Sequence, residues 1–418
     1  MPRLLLLCEY PTLNGGEQSM LSTLDAVAAA GFSLAAVAPP RGPLAAALAA
    51  RQVDVLPWHA HGDCPDFRVA IACDRSENGT VPLDGRIAQG AQREELARLV
   101  RGYGPDLLDA NSLAMGRLSG PVAAELGVPG LAHVRDIVRL GTQAMADVNR
   151  HRRLLAVSQA TRDFHVAQGM AAERVRVLYN GVDLARFCPR PGSGYLHREL
   201  GLLPQARLIG TIGQISLRKG QDLLVEAAAM LAQQRPAKGD SPIFAATKRG
   251  SVPEIGTIPV PVHYLMVGER FSGKDESRRF EAAVRQATER LPGFFHWLGS
   301  RTDVDRLLGE LTLLVHPARQ EPLGRVLLEA AAAGVAVVAT DVGGTREIFP
   351  PQSRSARLVP AEDAAALALA MQELLADPAE RARLSAAARQ RAEEQFDLRL
   401  AAAELVRHYQ EVLEGYRP

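Results

Sequence analysis

The stretch "RQEPLGRVLLEAAAAGVAVVATDVGGTREIF", Arg319–Phe349, decides how this chain is read. It follows the apolar run "LLVHP" (313–317) and passes from an alanine-rich helical pattern into a second apolar run, "VAVVAT" (335–340). Strand, helix and strand in that order form the unit of a parallel α/β sheet. Gly324 opens the helix and Gly334 ends it. The first backbone N–H groups of a helix lack partners inside it and carry partial positive charge. A glycine there lets a ligand come close to the backbone, and a diphosphate suits the position. Glu329 lies roughly one turn inside the helix, where a carboxylate can accept hydrogen bonds from a ribose diol. Glu321 stands just before the helix, where a sugar hanging from the diphosphate would lie. The plainer alternative makes Glu321 a surface loop charge and Glu329 part of a solvated helix face.

The same rhythm runs outward in both directions. Apolar runs recur as "LLLLCE", "SLAAVAP", "LLDAN", "GLAHV", "LLAVS" and "VRVLY" in the first part, and as "LIGTIG", "HYLMVG", "FFHWLG", "LLVHP", "VAVVAT" and "ARLVP" in the second. Two doubly wound halves follow, with a junction near "NGVDLARFCPRPGSGY", where proline and glycine cluster after a strand. Two stretches interrupt the rhythm. Residues 63–90 read as a polar, glycine-rich loop, and residues 236–262 as a disordered insertion rich in proline and glycine. The segment from Ala379 to Tyr416 reads as two helices broken near Phe396–Asp397.

Composition narrows the function classes. At 418 residues two domains are expected. Lys and Arg number 48 against 47 for Asp and Glu, which leaves no general electrostatic reason to bind nucleic acid. The densest basic run, "NRHRR" (149–153), reads as a solvated turn before a strand, with contact to an anionic membrane surface as the sharper alternative. Cys8, Cys64, Cys73 and Cys188 show neither zinc-ligand spacing nor a disulfide framework, which fits a reducing cytoplasm. The opening "MPRLLLLCEYP" is too short an apolar run for a signal peptide, and no later run spans a bilayer unbroken.

Taken with its neighbours, the quoted stretch resembles the donor-site region of the retaining glycosyltransferases of family 4, which have the GT-B fold. The resemblance rests on two glutamates separated by seven residues (Glu321 and Glu329), the Leu323–Gly324 step, "LLEAAAAG", "VAVVATDVGG" and Glu347. Elsewhere "GGEQSMLSTLDAVAAAGF", "LLAVSQATRDF", "VLYNGVDLARF" and "GTIGQISLRKGQDLLVEAA" fit the same family. The implied architecture is two Rossmann-like domains facing a central cleft. Residues 1–187 would form the acceptor side, with a helix near 398–418 packing back on it. Residues 200–397 would bind a nucleoside-diphosphate sugar.

The resemblance also implies roles. Lys219 matches a lysine that neutralises the donor diphosphate, and a fixed ammonium suits a departing anion. Where the family commonly has an arginine, this chain has Gln214 after Gly213, and Arg218 on the same loop can compensate. Gly15 and Gly16 match the loop that approaches the ligands, the alternative being an ordinary strand-to-helix turn. Arg135 stands where the family usually carries a histidine near the reacting sugar. An arginine cannot act as a general base, but it can hold a sugar or a charged acceptor. His133, two residues earlier, shares its strand face. The implied catalytic residues are therefore Arg135, Lys219 and Glu321. The implied donor-binding set is Gly16, Gln214, Arg218, Lys219, Leu323, Gly324, Arg325 and Glu329. Asp303 and Asp305 form a DxD pattern that reads as a helix start rather than a metal site. The Leu298–Arg301 turn falls near the nucleotide base by resemblance.

The expected reaction is retaining transfer of a sugar from a nucleoside-diphosphate donor to an acceptor hydroxyl, without metal or other cofactor, in polysaccharide, lipopolysaccharide or glycolipid synthesis. The acceptor classes are a glycan, a lipid-linked sugar or a small molecule. The expected place is the cytoplasm, with peripheral contact at the inner face of the membrane. A nucleotide-sugar epimerase and a non-catalytic sugar-nucleotide-binding subunit are the alternatives.

Overall fold

The computed structural model of the chain describes residues 1–58, 83–233 and 260–416. Two compact units emerge, Met1–Gly181 with Phe396–Pro418, and Val182–Gln395. The division thus comes after Gly181, ahead of residue 187, and the chain re-enters the first unit at Phe396.

The first unit is built on seven parallel strands: β1 (Arg3–Leu7), β2 (Ser33–Ala38), β3 (Asp54–Pro57), β4 (Leu107–Ala110), β5 (Gly130–Val134), β6 (Arg153–Ala156) and β7 (Val175–Val177). Their order across the sheet is β3-β2-β1-β4-β5-β6-β7. Successive residues of β1 feed opposite faces. Leu5 and Leu7 join Val37, Leu108 and Leu154 in one core, while Leu4 and Leu6 join Met20, Leu131 and Leu155 in the other. Both faces are covered, so these strands appear in the sequence as continuous apolar runs rather than alternating ones. Helix Leu398–Glu414 closes the second core with Leu405, Tyr409 and Val412. Tyr409 meets Phe32 edge-on at 5.6 Å between ring centroids. Asp397 caps this helix, its side chain accepting from Arg399 N at 2.9 Å.

The second unit has six parallel strands: β8 (Arg207–Ile212), β9 (Val262–Val267), β10 (Phe295–Gly299), β11 (Leu313–His316), β12 (Val337–Thr340) and β13 (Arg357–Val359), in the order β10-β9-β8-β11-β12-β13. Its core joins Ile209, Met266, Val315 and Val338 from the strands to Leu224, Leu367 and Leu374 from the helices. Both sheets reverse direction of growth once, between β1 and β4 and between β8 and β11. Ligands of open α/β sheets bind at such switch points, outside the carboxyl ends of the strands.

Several expectations are corrected. Strand β3 lies at a sheet edge and has no counterpart in the sequence reading. The expected loop 63–90 is overturned at 83–90, which opens the helix Leu83–Tyr103. The rest of that loop lies outside the described residues, as does the expected insertion except for its end, where Val262 begins β9. The run 149–153 is a turn leading into β6 with Arg150 and Arg152 exposed, but it is solvated only in part. His151 is fully buried, its Nε2 lying 2.9 Å from the Gly116 carbonyl. Arg153 pairs with Glu411 at 3.0 Å. Among the described residues no helix is long and apolar enough to cross a membrane.

Candidate functional site

At the β8–β11 switch point two loops lock together. The chain leaves β8 through Gly213, makes a short turn at Leu217–Lys219, and enters helix Gln221–Gln233 past Gly220 at φ +66°. A Cβ on Gly220 would lie 1.9 Å from the Pro317 carbonyl oxygen, so only glycine lets the two loops touch. Arg319 donates from its backbone N to Arg218 O at 2.8 Å, and Arg218 Nη1 donates to Gln320 O at 3.2 Å. The Arg319 guanidinium forks onto Asp222 at 2.7 and 2.8 Å, a bidentate pair that fixes the loop against the following helix. Gln221 donates to the Gln214 carbonyl at 2.9 Å, which ties the segment after β8 to the start of the following helix.

Lys219 and Glu321 meet across this junction. Glu321 is only 4% exposed. Its Oε2 accepts from the Lys219 ammonium and lies 2.7 Å from His316 Nε2, while Arg218 stands 3.9 Å from Oε1. The Glu321 carbonyl accepts from Gly344 N at 3.0 Å. A side chain on Gly344 would strike the Pro322 carbonyl at 2.3 Å, which explains the Gly-Gly step of the opening stretch. Burial alone would raise the Glu321 pKa. Lys219 foremost, then His316 and Arg218, outweigh burial and hold the carboxyl well below its usual range. His316 is pushed the other way for an imidazole: burial and then Lys219 lower its pKa, so it stays neutral.

The surface-charge reading of Glu321 is therefore overturned, and so is the solvated reading of Glu329. Glu329, on helix Arg325–Ala332, has a side chain 14% exposed and accepts from Arg325 Nη2 at 3.3 Å. Burial raises its pKa, and Arg325 offsets this only in part. Gly324 precedes that helix at φ +101°, with a hypothetical Cβ 2.7 Å from Leu327 Cδ1. Leu323 is 1% exposed, so its side chain belongs to the core and only its backbone can face a ligand. Gln214, Arg218, Lys219, Glu321, Leu323, Gly324, Arg325 and Glu329 thus all sit on the two locked loops and the helix that follows.

The metal reading of Asp303 and Asp305 fails on their partners. Asp303 accepts from Tyr195 OH at 2.9 Å and from Arg301 at 2.9 Å, and its carboxyl is held down at about 2, chiefly by Arg301 against the opposing effect of burial. Asp305 faces Arg186 and Arg190 at 3.4 and 3.3 Å. Among the described residues no group of three His, Cys, Asp or Glu side chains is arranged to hold a metal ion.

In the first unit Gly16 and Arg135 lie together. A Cβ on Gly16 would sit 3.4 Å from Arg135 Cδ. The guanidinium donates to Asn111 O and Oδ1 at 3.3 and 3.1 Å and to Asn180 Oδ1 at 3.1 Å. His133 and Arg135 line one small pocket, with Asp109, Tyr409, Met20 and Thr23 around them. His133 is buried with Nε2 3.2 Å from Asp109 Oδ1, and Asp109 Oδ2 accepts from Tyr409 OH at 2.5 Å. The sequence reading missed Asp109, Tyr409 and His316. The first two meet from positions 300 residues apart, so no local pattern announces them. His316 left one signal, an imidazole closing an otherwise apolar strand.

Comparison with known proteins follows the division into units. Residues 13–186 match the family model described as Glycosyltransferase Family 4, and residues 196–391 match Glycosyl transferases group 1. The alpha-maltose-1-phosphate synthase of Mycobacterium tuberculosis is 30% identical over 271 residues, 62% of this chain and 63% of that protein. A D-inositol 3-phosphate glycosyltransferase of Salinispora tropica is 31% identical over 226 residues, 52% of this chain and 42% of that one. The chain thus spans between 42% and 63% of the length of these curated relatives. Among solved structures, Anabaena HepE in complex with UDP-glucose superposes with a TM-score of 0.76 at 20% identity, covering 98% of this chain and 99% of that one. WaaG, a glycosyltransferase involved in lipopolysaccharide biosynthesis, superposes with a TM-score of 0.64 at 18% identity, covering 97% and 98%. At such identities the likeness speaks to the fold, which is GT-B.

Proposed function

The chain belongs to the family 4 glycosyltransferases, and from that premise we propose that it moves a sugar from a nucleoside-diphosphate donor to an acceptor hydroxyl with the anomeric configuration retained. One observation carries the reading: an ammonium, a buried acid and a glycine-led helix start converge at the β8–β11 switch point. In this reading the leaving diphosphate lies against Lys219, Arg218 and the first N–H groups of helix Arg325–Ala332, and Gln214 adds a hydrogen bond. Glu329 takes the ribose diol, and Glu321 positions the sugar. The fixed charges stabilise the departing anion as it forms, when they count most. They make a divalent ion dispensable, so chelator leaves turnover unchanged. The sugar passes through an oxocarbenium-like state. The leaving phosphate, on the same face, helps to take the proton of the attacking hydroxyl. Arg135 holds the sugar or an anionic acceptor beside Gly16. That acceptor is a glycan, a lipid-linked sugar or a small molecule.

A uridine donor is the reading supported by HepE, whose solved complexes hold UDP and UDP-glucose. The test is a thermal-shift titration with UDP-glucose followed by product analysis. A ligand selective for the folded state at a hundredfold excess over its Kd adds about 2.7 kcal/mol of stability. We expect that gain in the wild type, its loss in Lys219→Ala, and transfer with retention onto an added acceptor. Conversion of the donor alone to an isomer, or binding with neither transfer nor hydrolysis, overturns the proposal.

A further inference from the structure

Glu321 and His316 form a buried pair whose only close ammonium among the described contacts is borrowed from the diphosphate site. The Lys219 ammonium and His316 Nε2 converge on the same oxygen, Glu321 Oε2, the latter at 2.7 Å. His316 is 2% exposed and Glu321 4%, so water does little to compensate either group. The charged groups facing His316 are Lys219 and Arg218 from the loop after β8 and Glu321 from the loop after β11. From β12 the neighbour is neutral, Thr340 donating to the His316 carbonyl at 3.4 Å.

We infer that His316 is a positioning residue that takes up a proton as the donor diphosphate draws Lys219 off Glu321, which couples donor binding to protonation of this buried pair. The inference rests on the proposed function, in which Lys219 meets the diphosphate. A buried carboxylate stripped of its counter-charge is strongly destabilised. One ammonium cannot neutralise both Glu321 and a doubly charged diphosphate. As Lys219 turns to the ligand, its repulsion of the imidazole weakens and the pull of Glu321 on a proton grows. Both changes favour the imidazolium, which then stays bonded to Glu321 and keeps the acid ionised and aimed. The proton comes from solvent, at most one per donor bound, and none passes to the substrate. In the free protein burial and Lys219 keep His316 neutral.

The sign follows. Binding that takes up a proton tightens as pH falls below the raised imidazole pKa of the complex, by up to tenfold per pH unit. It levels off once the free protein is protonated too. The experiment is calorimetric titration with UDP-glucose at neutral pH in phosphate, HEPES and Tris. The diphosphate of UDP-glucose has no proton to exchange near neutrality, so the dependence of heat on buffer ionisation enthalpy counts protons on the protein. We expect uptake in the wild type and little or none in His316→Gln, a variant whose Kd no longer tightens as pH falls. A merely structural role for His316 would lower the melting temperature and leave the proton count as it was. A wild-type count of zero, which needs no variant to fold, overturns the inference, as does a wild-type count retained in His316→Gln. Failure of UDP-glucose to bind, or equal binding by Lys219→Ala, overturns the donor reading and this inference with it. Binding weakened by Lys219→Ala but without proton exchange overturns the inference alone.

Discussion

Each unit buries a carboxylate against a histidine near a sheet switch point, yet the third partner differs. Asp109 lies within β4, paired in register with Leu6 and Leu131, and its other oxygen is bonded by Tyr409 from the C-terminal helix. Glu321 lies on a loop, and its third partner is a lysine carried by another loop. A tyrosine packed in the core against Phe32 is held in place by its surroundings. A lysine beside a glycine-led helix start can exchange one anion for another. Burial of an acid with an imidazole therefore has two settings: a clasp joining β4 to the C-terminal helix in the first unit, and, under the proposed function, a charge held for a ligand in the second.

The sharpest way to break that contrast is Asp109→Ala. Removing one member of a buried, bonded set typically costs about 3–5 kcal/mol. We expect a loss of that order in urea unfolding, with UDP-glucose affinity preserved in the folded fraction. A loss of affinity without a loss of stability would make Asp109 a site residue and erase the distinction. Its pH signature is also defined. Burial opposes ionisation of Asp109, but His133 foremost, then Tyr409 and Arg135, lower its folded pKa. Its contribution is complete above the unfolded value of about 3.9 and is lost as pH falls through the depressed folded value. Asp109→Asn should flatten the acid limb of the stability curve below that point.

Lys219→Ala comes next. Removing a preorganised charge of this kind lowers turnover by roughly 10²–10³-fold. The same change strips Glu321 of its ammonium, but His316 can take up the missing charge, so stability should fall less than in Asp109→Ala. Proton NMR of the imidazole checks the reason: the His316 pKa should be higher in Lys219→Ala than in the wild type. A variant that loses stability as severely as Asp109→Ala but keeps its turnover would make Lys219 a second clasp.

Glu329→Ala should weaken UDP-glucose binding by about tenfold, ~1.4 kcal/mol. Because burial raises the Glu329 pKa, the wild-type carboxylate protonates earlier than usual on acidification and stops accepting both ribose hydroxyls. That loss of affinity at low pH runs opposite to the His316 linkage. It should persist in His316→Gln and vanish in Glu329→Ala.

The fold was legible because both sheets are covered on both faces. Twelve apolar runs named in the sequence correspond to strands for that reason. Strand β3 escaped because it is four residues long, ends in proline, and sits at an edge where only its middle is partly covered. The start of helix Leu83–Tyr103 was hidden by Gly85, Gly90 and a polar sequence. The glycines and charges of the second-unit site carry their own spacing, so they could be found along the chain. What the charges do to one another could not: whether Glu321 is a surface acid or a buried one depends on Gly344, His316 and Lys219 closing around it. Tyr409, at the far end of the chain, gave no hint that it answers Asp109.

The smallest predicted effect separates folding from function most cleanly. Gly16 and Gly324 both open helices, but for different reasons. Gly324 is held at φ +101° with Leu327 in the way of any Cβ, so alanine there is a defect of folding before it is a defect of binding. Gly16 has no positive φ, and its Cβ would meet Arg135 Cδ at an ordinary 3.4 Å. Alanine inside a helix is favoured over glycine by roughly 0.5–1 kcal/mol, so Gly16→Ala should hold or slightly raise the melting temperature. If Gly16 is an ordinary turn residue, kcat/KM will stay as it was. If the helix start approaches a ligand beside Arg135, the added methyl stands between them, and kcat/KM should fall by roughly tenfold or less. We expect the second result: a more stable protein that is a poorer enzyme, which no purely structural role for Gly16 produces.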